Sequence, residues 1–308
     1  MRPAELTARR LAGARRAADT ASAAPSRALK VFSSILAPTT VLTALLFYFG
    51  SQHANAFCGW FGVHYSVLGL TVSDYLIRAS DGMTVPITVV AATGLATLWA
   101  YRLLESRLSS RAWQTLLRRI VPVLAVAGVV LVGLGLTGLA DPALLYRLPG
   151  LPGLCIAVGF VLFPLADRVH QVRTGRRDSP VGAVVQWTFT FVLVTVGSFW
   201  AVTDYSSAVG ELRAYEYEVG LPKMADTVVF SAKDLGVRAR GVTMTRCAPD
   251  AQYLFRYDGL VLVLQSGGTS FLLPRQWNRV DGVAILLPAS AGIRLEFAPS
   301  GTGRDRAC

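Results

Sequence analysis

Two histidines and two aspartates stand near one another early in the chain: His53, His64, Asp74 and Asp81. Imidazole and carboxylate groups gathered at one interface are the donors a metal needs and the acid and base that proton transfer needs. Their spacing argues for a plainer role. His53 and His64 lie eleven residues apart with no paired-ligand motif, so no metal is assigned. Asp74 follows Ser73 at the start of a helical pattern and reads as a first-turn acid favoured by the helix dipole. Asp81 is in range of Arg78 for a local ion pair. Capping and interfacial hydrogen bonding are the favoured roles for this outer-face polar cluster.

A candidate ligand loop carries Arg275, Trp277 and Arg279. An indole flanked by guanidinium groups suits an anionic or sugar ligand. The same residues suit a Trp packed over the end of a sheet with solvated basic neighbours, which is the favoured reading. Of the four cysteines, Cys155 falls in an apolar run and reads as a small packing residue. Cys58, Cys247 and Cys308 are expected on the oxidising side, with Cys247 and Cys308 the candidate disulfide because both belong to the C-terminal domain. There is no CxxC, no G-x-S-x-G and no histidine after residue 170. No catalytic residue and no cofactor is assigned, and an enzyme is the less favoured class.

The elements that must position these residues are apolar. Of 308 residues 53% are hydrophobic and only 16% charged, a depletion typical of membrane proteins. The clearest run, Val181 to Val202, has no charge and is long enough to cross a hydrocarbon core of about 30 Å. Similar runs cover 31–50, 84–104, 120–140 and 151–166, the last one short and containing Pro164. Their apolar cores hold no Asp, Glu, Lys, Arg or His, which argues against proton-coupled transport and intramembrane proteolysis. In the third run Gly128 and Gly135 share a face and predict close helix packing. Between the first two runs, residues 51–83 form an aromatic connection built on Phe57, Trp60, Phe61, Tyr65 and Tyr75.

The net charge of +11 resides in three places: residues 1–30, the stretch from Arg102 to Arg119, and the stretch from Asp167 to Pro180. Basic residues on alternate connections are the positive-inside signal. They predict a multi-pass plasma-membrane protein with a basic cytoplasmic tail (1–30) touching anionic lipid headgroups, a five-span membrane domain (31–203) and an extracytoplasmic domain (204–308). No aromatic-interleaved basic stripe is present, so nucleic acid is not expected as a partner.

After residue 204 the period changes. Strand-like runs occupy 227–231, 237–246, 253–265, 269–274, 283–288 and 293–298, with a hairpin turn at Ser266-Gly267-Gly268. The predicted fold is a membrane α-helical bundle of about five transmembrane helices joined to a small, mainly-β C-terminal domain.

The patterns FCGWFGVHYSVLGLTVSDYLIRAS and YLFRYDGLVLVLQSGGTSFLLP resemble uncharacterised multi-span membrane proteins of actinobacteria. The resemblance implies the same bundle-plus-β layout and carries over no activity, ligand or catalytic residue. The expected function is presentation of the outer β domain to an envelope ligand or protein partner, or service as a membrane subunit of an envelope assembly, with a homo-oligomer among the candidates. A transport or channel component is the alternative, and an outer-interface enzyme the second alternative.

Overall fold

The computed structural model describes residues 40, 43–107, 110–140, 148–175 and 179–300. The basic tail and most of the first expected span lie outside these residues. The chain divides into two units, Met1–Leu46 and Phe47–Cys308, and everything below concerns the second.

Helix α1 covers residues 47–60 and ends in a turn at Gly62, whose φ of 74° suits glycine. A single 3-10 turn, Tyr65–Leu68, leads to α2, Val72–Arg107, which carries Pro86 within it. The short helix expected at Ser73 is therefore continuous with the second apolar run. Helix α3 is Ser110–Ala140, α4 is Leu151–Thr174 and α5 is Pro180–Gly220.

Among the described residues three helices are long and apolar enough to cross a membrane: Leu117–Gly138 in α3, Leu151–Gln171 in α4, and Val181–Lys223, which is α5 with the turn after it. The expectation was about five. The first run lies mostly outside the described residues, and the second, in α2, is not among the three.

Two helices outrun the apolar stretches that signal them. α4 continues through Pro164 to Gly175, whose left-handed backbone (φ 67°) lets its N–H bond Gln171 O. α5 runs on through the charged residues 211–220 to a length of 41 residues, about 60 Å. Good helix formers continue there, supported by an Arg213–Glu216 pair at 2.8 Å. Hydropathy marks where lipid contact ends, and the backbone hydrogen-bond ladder does not have to end with it.

Within the apolar helices the hydroxyls bond their own backbones. Thr93 donates to Val89 O and Thr195 to Phe191 O, each at 2.7 Å, so neither needs water. α4 is the middle helix, packed on α3 and on α5. Gly128 of α3 abuts Gly159 O, and Gly135 abuts Pro152 O and Ile156. On the other side Gly153 of α4 meets the backbone of Ala201 and Gly197. Small residues let backbones approach where lipid offers no hydrophobic drive between helices.

The C-terminal domain is a six-stranded antiparallel sheet in the order β5-β4-β3-β1-β6, with β2 also on β3. Its strands are β1 Asp226–Ser231, β2 Thr243–Arg246, β3 Phe255–Ser266, β4 Thr269–Pro274, β5 Ile285–Pro288 and β6 Ile293–Ala298. β3 is the spine: β2 and then β4 occupy one of its edges, and β1 the other. One face buries Val229, Tyr257, Leu260 and Leu272 beneath the segment holding Leu235, Val237 and Val242. That segment is pinned where Leu235 N donates to Tyr257 Oη and Tyr257 Oη donates to Asp234, at 2.8 and 2.6 Å.

The opposite face buries Val261, Phe271 and Leu273 against Phe57, Cys58, Phe61, Val63 and Leu68 of the aromatic connection and Ala214 of α5. The sheet and the helices thus share one core.

The α4–α5 seam yields a prediction. Gly153→Val places side-chain atoms on the α5 backbone, where overpacking costs about 1–3 kcal/mol. Gly133→Val, where nothing lies within 4 Å, is the control. Thermal unfolding in detergent should show a lower Tm for Gly153→Val alone, and equal values for the two variants would contradict this packing.

Candidate functional site

The aromatic connection, the start of α2 and the end of α5 meet the sheet in a layer of aromatic rings. Phe61 is its centre, with ring centroids 4.9 Å from Trp277, 6.0 Å from Phe271 and 5.4 Å from Phe57. Edge-to-face pairs of this kind add about 0.5–1.5 kcal/mol each beyond the area they bury. Trp277 is buried, and Gly282, lacking a Cβ, leaves room for its indole.

The other residues of the candidate ligand loop fasten the sheet to the helices. Arg275 donates to Asp226 through Nε and Nη2, and to the carbonyls of Pro222 and Met224, closing the turn after α5. Its guanidinium satisfies backbone acceptors that the end of the helix leaves open. Arg279 stacks on Trp60 at 4.1 Å, while the Trp60 indole N–H donates to Glu218 at 2.8 Å. All three loop residues face the protein's own aromatic layer or backbone.

The outer polar residues have separate partners. His64 is the N-cap of the 3-10 turn, accepting from Ser66 N. Asp74 accepts from Thr71 N, Thr71 Oγ1 and Ser266 Oγ at 2.8, 2.8 and 2.7 Å. It thereby ties the start of α2 to the β3–β4 hairpin, where Gly69 and Gly267 touch backbone to backbone. These bonds, that from Ser266 first, hold the Asp74 carboxyl below its ordinary value. Asp81 lies within α2, and its side chain is outside the described residues. Among the described residues no three His, Cys, Asp or Glu side chains converge as metal ligands.

Cys247 is disulfide-bonded, and Cys308 lies outside the described residues. Cys58 and Cys155 are free. Burial pushes the Cys58 thiol up to about 11, so it is protonated and inert at neutral pH.

His53 belongs to a different neighbourhood. It is buried in α1, stacked over Phe57 at 6.4 Å, and borders a cavity of 470 Å³ between α1, α2, α5 and β3. Arg78 of α2 and Arg213, Glu216 and Tyr217 of α5 supply its polar wall; Phe57, Met224 and Val263 supply an apolar one. Tyr217 Oη donates to Leu262 O at 2.8 Å, which holds α5 on β3. Arg213 pairs with Glu216. The Arg78 guanidinium lies over the Phe57 ring at 5.6 Å and makes no hydrogen bond or ion pair to a described residue.

The sequence alone does not place this cavity, because the apolar run that marks α5 ends at Val202, before the charged residues 211–223 begin. Once α5 is helical there, positions 213, 216 and 217 fall on one face. A second cavity, of 250 Å³, lies at the edge strands β5 and β6 and is walled by Leu287, Ile293, Leu295 and Phe297.

The Asp74 latch predicts a pH dependence. Ser266→Ala removes the largest cause of the lowered pKa and should cost at most about 1 kcal/mol at neutral pH, since the carboxylate is solvent-screened. A depressed carboxyl stabilises above its unfolded value, 3.8, and ceases to do so as pH falls through the folded one. The Tm gap between parent and variant should therefore be full near neutrality and close below pH 3.8. A gap independent of pH would contradict the assignment.

No protein-family model, no curated protein and no solved structure matches the chain.

Proposed function

We propose that this chain is an integral membrane protein of five spans that holds its β domain as a rigid binding platform on the outer face of the membrane. The observation that carries the reading is the shared core. A domain tethered for reach alone would hang on a polar linker, whereas here Phe57, Phe61 and Leu68 of the connection pack on Val261, Phe271 and Leu273 of the sheet. Position and orientation of the sheet are thereby fixed relative to the helices.

The membrane reading is supported by the apolar outer surfaces of the bundle. Val126 and Val129 of α3 and Val184, Trp187 and Phe191 of α5 are more than half exposed, an arrangement stable when lipid covers them. The basic connections favour a cytoplasmic N-terminus and, after five crossings, an outer β domain. The expected partners are an envelope protein or ligand at the β domain and anionic headgroups at the cytoplasmic face. The transport alternative has less support, because α4 packs on the glycine face of α3.

Val280 is 97% exposed on the β domain and suits a topology probe. With Cys58 and Cys155 replaced by Ala, a Val280→Cys variant should react with a membrane-impermeant maleimide in intact cells and resist alkaline extraction from membranes. Labelling that requires permeabilised cells would put the β domain inside and remove the envelope-partner reading.

A further inference from the structure

We propose that the cavity between α1, α2, α5 and β3 binds the anionic headgroup of an acidic lipid, with Arg78 as its counter-charge. The inference rests on the membrane reading above and adds a ligand class to it. At 470 Å³ the cavity has the size of a small-ligand site, and its walls divide by chemistry. Arg78 and Arg213 stand against one carboxylate, Glu216, which is already engaged by Arg213. No lining carboxylate pairs with Arg78, and the Asp74 carboxylate, one turn back along α2, acts on it without a hydrogen bond.

The Arg78 guanidinium lies over the Phe57 ring, and its N–H groups make no hydrogen bond to a described residue. The N–H edge of a guanidinium is suited to bidentate contact with phosphate. The facing wall of Phe57, Met224 and Val263 offers nothing to a small hydrated anion and much to the apolar part of an amphiphile.

The position of the mouth agrees. Ile77, 69% exposed, lines it beside Arg78, and further along α2 the exposed Val89, Trp99 and Leu103 fall on the Arg78 side of the helix. From Arg78 to Val89 is about 17 Å along the helix. A ligand with its charge on Arg78 can therefore lay its chain along an apolar helix surface that runs toward the bilayer. Free phosphate would use only the first contact.

The test uses the full-length protein in a non-ionic detergent, with native mass spectrometry counting bound phosphatidic acid and phosphatidylcholine. The parent chain should retain phosphatidic acid about tenfold better, the size of one charge-assisted contact. Arg78→Gln should abolish that preference and Arg78→Lys should restore part of it. Ile77→Glu, a change at an exposed position, should also abolish it by placing a carboxylate at the mouth. Equal retention of the two lipids, or a preference unchanged in Arg78→Gln and Ile77→Glu, overturns the proposal. Displacement of the lipid by millimolar inorganic phosphate would identify a free-anion site and overturn it as well. Alkaline extraction of the same variants is scored in parallel. Loss of membrane association would undo the membrane reading, whereas retained association with unselective adducts would undo only the lipid site.

Discussion

The burial of the aromatic connection on one face of the sheet is the constraint from which the rest of this structure follows. Phe57, Phe61, Val63 and Leu68 are buried against Val261, Phe271 and Leu273, which would otherwise lie open. At roughly 25 cal/mol per Å² of apolar surface removed from water, a layer with four large aromatic rings outweighs any single polar contact at the junction. The polar contacts set register. Asp74 holds the hairpin turn to the start of α2, and Arg275 holds β1 to the turn after α5. Each is satisfied by several partners, as a charge at a half-buried junction must be.

A different force holds the bundle. Among α3, α4 and α5 the close contacts involve glycine and alanine against backbone carbonyls. In a surround as apolar as leucine, such as lipid, helices joined this way would gain from dispersion and close fit, and a large side chain at the seam would lose both. Among the described residues α2 makes no such seam over residues 87–103, whose side chains are exposed on every face. The chain thus joins a water-driven core at one end to a packing-driven seam at the other, with α5 passing through both.

That continuity bears on function. A helix of 41 residues embedded in both regions transmits the position of one to the other, so whatever meets the β domain meets an object fixed to the bundle. The cavity beside Arg78 lies at the junction of the two regions, walled by both. Occupation there touches α1, α2, α5 and β3 at once.

Local patterns in the sequence determined a good part of this architecture. Apolar runs report helices long enough to cross a membrane, and period-two alternation reports strands: β6 runs as expected, from Ile293 to Ala298, because alternation is a property of neighbouring residues, while β4, from Thr269 to Pro274, is marked by the turn at Ser266-Gly267-Gly268 before an apolar run. Other features belonged to the tertiary structure alone. Helical backbone persists through Glu211, Arg213 and Glu216 because α5 packs Ala214 and Tyr217 on the aromatic layer, a contact that hydropathy does not encode. Trp277 and Phe61 are more than two hundred residues apart, so neither the burial of the one nor the role of the other could be read locally. The charge on Arg78 was visible in the sequence, but the absence of a partner for it among the described residues was not. Whether a charge is answered depends on which helices and strands fold around it, and that was decided only when α1, α2, α5 and β3 came together.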